Sequence, residues 1–396
     1  MYIPTKKAGI KTKNMAVNFS FATAGQIIFG NHSLEKVSNL VAGFGKKVVL
    51  VTGKNSSRAK ELMAKFSPET DTILFNVPGE PTTGLIEAGV QLARQHASDV
   101  VVGLGGGSVI DSAKAIAAMA TNKGELFDYL EVIGREKPLI EKPLPCIAIP
   151  TTAGTGAEVT KNSVIKSPEN NVKVSLRSNF MYPDIAVVDP VLTWSMPPAL
   201  TASTGVDALT HLLETFVSNQ ANPYIDMLCR EGMTRISRSL RKAFKDGSDK
   251  EAREDMAMAS LLGGMALANV KLGAVHGFAG PMGGMFPIPH GAVCACLMSA
   301  VIEENIQALR ENKLDSSKFD ELAKILTGNE KAMSNDAAIW AAELVAELQI
   351  PSLSEFGLTK EDFPVLVEKA KVASSMKGNP VELTDEQLFR ILERSL

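Results

Sequence analysis

A chain of 396 residues is too long for one ordinary hydrophobic core, so two domains are expected. With 45% hydrophobic and 21% charged residues the balance is globular, and a net charge of −3 offers no basic face to nucleic acid or an anionic membrane. No run reads as a membrane span or a signal peptide, and four scattered cysteines without a CxxC read as buried thiols of a cytoplasmic protein.

Residues 1–14 carry Lys6, Lys7, Lys11 and Lys13 and no acid, and without apolar periodicity they read as a loose basic tail. Two extended segments between Asn18 and Gly30 are expected to pair at a sheet edge, where a second copy could add to make a dimer. Short β-branched runs follow at 47–52, 72–77, 99–104 and 146–150, with amphipathic helices at 57–66, 84–96 and 108–119 between them. This alternation predicts an open α/β sheet that binds ligand at the carboxyl ends of its strands. A polar hairpin at 162–175 and a last strand at 185–188 complete this half. Beyond Asp189-Pro190 the texture turns helical to the end, placing a domain boundary near residue 190. Pro197, Pro198, Gly205 and Pro223 are read as punctuating the first helices, and the basic run at 235–245 as a solvated helix face.

Two loops in the first half have the chemistry for a nucleotide. Gly105-Gly106-Gly107-Ser108 leaves a strand and opens a helix, so backbone N–H groups and a positive dipole end can meet a pyrophosphate. Ser108 stands where the dinucleotide fingerprint needs its third glycine, and no Walker A sequence is present. Thr151-Thr152-Ala153-Gly154-Thr155 also leaves a strand end, although such density is equally a property of ordinary turns.

The helical half carries the sharper signal. Asp207 and His211 are four residues apart on a helix and share a face, while His276 and His290 lie in apolar, glycine-rich settings. Any one of these histidines alone is more simply a hydrogen-bonded core residue. Together, one oxygen and three nitrogen donors suit iron or zinc. Cys294 and Cys296, just beyond, read as part of a core helix.

These motifs, in this order, resemble the iron-containing (group III) alcohol dehydrogenase family from Phe29-Gly30 to Asn379-Pro380. The resemblance implies an α/β N-terminal dinucleotide-binding domain (1–190) and an all-α C-terminal domain (191–396), the dehydroquinate synthase-like fold. It implies a divalent metal, Fe2+ before Zn2+, on Asp207, His211, His276 and His290. It further implies a pyrophosphate and nicotinamide held by Gly105, Gly106, Gly107, Ser108 and Asp111, with Thr151, Thr152, Thr155, Asn162 and Lys173 lining the nucleotide. The expected activity is reversible hydride transfer between NAD(P)H and a small alcohol or aldehyde, in a homo-oligomer. The same fold also admits sugar-phosphate lyase chemistry, maleylacetate-type reduction or a silent metal or nucleotide binder.

Two departures bear on specificity. The histidine that many members carry four residues after the third ligand is Gly280 here, which leaves room in the pocket. NAD-using members often end the first long strand in an aspartate. Gly53 stands there instead, followed by Lys54, Asn55, Ser56, Ser57 and Arg58, and the cofactor reading therefore leans to NADP.

Overall fold

The computed structural model describes residues 18–170 and 172–396, so the expectation for residues 1–14 lies outside the described residues. In the first half, strands and helices alternate as β1 (Gln26–Phe29), α1 (Val37–Ala42), β2 (Lys47–Gly53), α2 (Ser57–Met63), β3 (Asp71–Val77), α3 (Thr83–His96), β4 (Val100–Gly105), α4 (Gly107–Thr121) and β5 (Cys146–Pro150). The hairpin β6 (Asn162–Ser167) and β7 (Val172–Arg177) follows, and β8 (Ile185–Val188) ends the strands. Six strands form one sheet in the order β1-β8-β5-β4-β2-β3, every pairing parallel. β4 and β5 are buried along their whole length because helices cover both faces, which explains their unbroken apolar runs. From β2 the chain winds outward to β3, and from β4 it winds the other way to β5. The crevice between the carboxyl ends of β2 and β4 is therefore a topological switch point.

The second half is helical: α5 (Pro198–Val217), α6 (Pro223–Lys245), α7 (Lys250–Leu267), α8 (Ala274–Met285), α9 (His290–Glu311), α10 (Ser317–Thr327), α11 (Ser334–Glu347), α12 (Phe363–Val372) and α13 (Asp385–Ser395). α5 is the hub, packed by α6, α7 and α9 and buried without interruption from Gly205 to Val217. A helix buried all round must satisfy its polar side chains internally. Thr210 and Thr215 do so by donating to the carbonyls of Val206 and His211, at 2.8 Å and 2.6 Å. Asp207, His211 and Glu214 remain, on one face.

Several expectations need correction. Only Gln26–Phe29 of the region 18–30 is a strand, and it pairs parallel with β8 instead of with a neighbouring segment. The preceding stretch turns to the helical half, where Phe19 and Phe21 pack on the Tyr224 ring and Asn269 brackets the backbone of Ala22. Gly205 does not interrupt a helix. It lies inside α5 because a Cβ there would come within 2.3 Å of Leu240 on α6. The basic run on α6 is not merely solvated: Arg235 and Arg238 pair with Asp255 of α7, and Arg241 pairs with Glu347 of α11. One helix, α9, is after all long and apolar enough to cross a membrane, but 78% of that stretch is buried inside the protein.

The α/β half meets the helices at two glycines. Gly156, with φ +59, follows β5, and a Cβ on Gly264 of α7 would lie 2.6 Å from its Cα and carbonyl oxygen. Backbone packed this closely has no side chain that can yield. Gly264→Ala is expected to cost about 1–3 kcal/mol, read as a lower midpoint in denaturant unfolding. Gly84→Ala, where nothing lies within 4 Å, should leave the midpoint unchanged or raised. Equal midpoints for the two variants would refute the tight contact.

Candidate active site

Asp207 and His211 reach the cluster from the middle of α5, His276 from the first turn of α8 and His290 from the first residue of α9. A Cβ on Gly291 would lie 2.0 Å from the carbonyl oxygen of Ser203, so glycine lets the start of α9 sit on α5 and brings His290 to the cluster. The Nε2 atoms of His211, His276 and His290 each lie 3.6 Å from Oδ1 of Asp207. At 3.6 Å none of these contacts is a hydrogen bond. Donors about 2.2 Å from one tetrahedral ion stand about 3.6 Å apart, so these three separations are those of ligands that share a transition metal. The donors present fit a divalent metal.

The electrostatics of Asp207 and His211 agree. Burial would raise the Asp207 carboxyl, but the imidazoles of His211, His290 and His276 hold it well below the usual carboxylate range. Burial pushes His211 down to about 4, against the pull of Asp207, so its ring is neutral at neutral pH. His276 and His290 go the other way: against burial, Cys294 and Asp207 beside them raise both, so a metal binding here displaces their protons. Nδ1 of His211 is buried without a hydrogen-bond partner among the described residues. Nδ1 of His276 donates to Oε2 of Glu214 at 2.7 Å, which fixes the tautomer and leaves Nε2 free for a metal. The other oxygen of Glu214 accepts from the backbone N–H of Val275 at 2.7 Å. His290 keeps 44% of its side chain exposed, so the cluster opens to solvent on that side.

Glu214 was missed from the sequence although the signal was there: 207, 211 and 214 share one face of a helix. Cys294 was read as core. It is buried in α9, yet its sulfur lies within 3.9 Å of Asp207, His276 and His290. Phe278 and Met282, which follow His276 on α8, are fully buried in the core between α8, α9, α12 and α13.

A cavity of about 490 Å3 opens at the switch point between β2 and β4. Gly53, Asn55, Gly105, Gly106, Thr151 and Thr152 line it, as expected for a nucleotide. The N-cap of α4 is Gly106, which has no side chain to close the helix end, so Ser108 is a helical residue and not a cap. Arg58 and the segment Ser195-Met196-Pro197 complete the wall and were not foreseen as a unit, being distant in sequence. Lys54, Ser56, Gly107, Ser108, Asp111, Thr155, Asn162 and Lys173 do not line this cavity. Both oxygens of Asp111 are taken within the protein, by Lys114 Nζ at 3.0 Å and by the N–H of Val164 at 3.0 Å. Lys173 pairs with Glu80, beside Gly283 of α8. Thr155 packs against Gly107.

Comparison with known proteins agrees with this geometry. Residues 24–190 match the model of the iron-containing alcohol dehydrogenases, and residues 201–396 that of the C-terminal region of the Fe-containing alcohol dehydrogenase family. The chain is 36% identical to alcohol dehydrogenase 4 of Saccharomyces cerevisiae, over 93% of this chain and 96% of that protein. It is 35% identical to 1,3-propanediol dehydrogenase of Citrobacter freundii, over 89% and 92%. A crystal structure of a 1,3-propanediol oxidoreductase superposes with a TM-score of 0.88 at 31% identity, covering 96% of this chain and 100% of that one. The alcohol dehydrogenase of Oenococcus oeni gives 0.88 at 30% identity, over 96% and 100%. A chain that matches the family in both halves, with a fold and donor set to suit, belongs to the iron-containing alcohol dehydrogenases and is an NAD(P)-dependent, metal-using alcohol dehydrogenase.

Proposed function

We propose that this enzyme reduces aldehydes, and oxidises the corresponding alcohols, with NADP and an Fe2+ ion held by Asp207, His211, His276 and His290. The observation that carries the reading is the set of three imidazole nitrogens, each 3.6 Å from one carboxylate oxygen. Residues 1–190 are the nucleotide-binding domain in this reading and residues 191–396 the metal-binding domain. A divalent ion on these donors supplies Lewis acidity to the alcohol or carbonyl oxygen as hydride moves. Asp207 contributes the charge, and Glu214 aims His276. The open N-terminus of α4 receives the pyrophosphate, and the wall from Ser195 to Leu200 closes over the nucleotide. With glycine at position 280, proton exchange passes through water or the cofactor ribose. The enzyme is proposed to be cytoplasmic, in keeping with four free thiols, and dimeric through the edge of β1 that no described strand covers.

Support for NADP comes from position 53. A carboxylate about 4 Å from a 2′-phosphate would cost very roughly 1–4 kcal/mol, which exceeds tenfold in affinity at its upper end. Gly53 offers none, and Arg58 lies in the same cavity. A Cβ on Gly53 would touch only Val109, at 3.9 Å, so an aspartate fits there. Metal-stripped protein reloaded anaerobically with Fe2+ should consume NADPH with small aldehydes at least about tenfold more efficiently than NADH. Gly53→Asp should reverse the order. Preference for NADH in the unaltered enzyme discards the cofactor assignment, and equal turnover without metal discards the ligand assignment.

Two further substitutions test the roles. Glu214→Ala should weaken Fe2+ binding by about 10–100-fold in chelator competition, with Glu214→Gln intermediate; unchanged affinity would remove Glu214 from the metal's support. Nothing lies within 4 Å of a Cβ at Gly280. Gly280→His should therefore fold normally but lower kcat/KM for branched and hydroxylated aldehydes about tenfold relative to acetaldehyde. An unaltered substrate profile would count against the roomy pocket.

A further inference from the structure

Cys294 follows His290 by one turn of α9, so both side chains face the same way. Its Sγ is fully buried, 3.7 Å from Oδ1 of Asp207, 3.8 Å from Nε2 of His276 and 3.9 Å from Nε2 of His290. Three nearly equal distances put the sulfur over the triangle formed by those donors. Cys294, without His211, completes a group of four whose ligand atoms all lie within 4.8 Å of one another. His211 Nε2 is itself 3.6 Å from Asp207 Oδ1. His211 approaches Asp207 from α5 and Cys294 approaches it from α9, and the two do not share that group of four.

Packing alone does not account for this thiol. A buried cysteine that fills space behaves as a small hydrophobe, whereas this one meets a carboxylate and two imidazoles. In a tetrahedral zinc site with Zn–S near 2.3 Å and Zn–N near 2.05 Å, sulfur and nitrogen are about 3.6 Å apart. The sulfur here is a few tenths of an ångström beyond that separation from each nitrogen.

We propose that Asp207, His276 and His290 serve two coordination sets: one closed by His211, suited to Fe2+, and one closed by Cys294, suited to Zn2+ and other thiophilic ions. The proposal rests on the reading that these residues hold a metal. Softness decides between the sets, because thiolate favours zinc over ferrous iron more than an oxygen and nitrogen set does. As the metal–sulfur bond forms, the thiol proton passes to solvent and no oxidation state changes. The identity of the ion thereby selects whether His211 or Cys294 completes its coordination.

The test uses the full-length protein stripped of metal and loaded with Co2+ as a spectroscopic substitute for zinc. The wild type should show a near-ultraviolet sulfur-to-cobalt charge-transfer band. That band should vanish in Cys294→Ser and Cys294→Ala and persist in Cys296→Ser. Competition against a chelator should show Zn2+ affinity falling at least about tenfold in both Cys294 variants, with Fe2+ affinity within about twofold of wild type. Cobalt bound without the band, or an unchanged zinc affinity, overturns the proposal and leaves the metal centre standing. No cobalt bound at all overturns both. The wild-type spectrum decides the matter even where a variant folds poorly.

Discussion

A carboxylate only 3% exposed, in the middle of a helix buried on every face, is the constraint around which this molecule is arranged. An isolated buried carboxylate costs several kcal/mol and ordinarily takes up a proton. Asp207 escapes that fate because three imidazoles converge on one of its oxygens. They stand too far away to hydrogen-bond and near enough to share an ion with it. The helices around α5 are placed by this need. α8 delivers His276 with Glu214 locking its ring, and α9 starts at His290 where Gly291 permits contact with Ser203.

The cavity at the switch point and the Asp207 cluster are joined by one loop. Thr151 and Thr152 line the nucleotide side, and Gly154 lies against Thr204, one turn before Asp207 on α5. The far end of the loop is fastened by Lys114. Its buried ammonium donates to the carbonyl of Ala157 and the hydroxyl of Thr160, both at 2.9 Å, to the carbonyl of Asn162, and to Asp111. A buried ammonium tolerates no missing partner, so the loop, α4 and the β6–β7 hairpin are held as one piece. Hydride transfer needs the nicotinamide and the substrate carbon in near contact, and rigidity between the cavity and the cluster provides it. Asp111 belongs to this fastening through both of its oxygens.

The sheet strands and the glycine–serine loop were legible because parallel buried strands leave unbroken β-branched runs and a phosphate loop leaves glycines. Asp207 and His211 were legible from helical spacing. Grouping His276 and His290 with them rested on the donor set as a whole, with the resemblance added to it, since no local pattern encodes a contact between α5, α8 and α9. The 18–25 segment was misjudged because extended backbone looks alike whether it pairs with a strand or lies on a helical surface. Gly205 was misjudged for a related reason: local sequence marks a helix breaker, while only packing reveals that α6 occupies the space a Cβ would need. Cys294 was overlooked because an apolar helix accounts for a cysteine until its partners are known.

The preferences proposed for this enzyme come from side chains it lacks. In the proposed reading Gly53 leaves the adenosine end of the cleft without a carboxylate, and Gly280 leaves the space one turn beyond His276 without an imidazole. At both positions the backbone would accept a Cβ, so glycine is not demanded by local conformation or by close packing. That contrasts with Gly156, Gly264 and Gly291, where a Cβ would strike backbone within about 3 Å. Glycines of the second kind are fixed by the fold. Those of the first kind are not, and the proposed cofactor and substrate preferences rest on positions whose substitution costs the fold little.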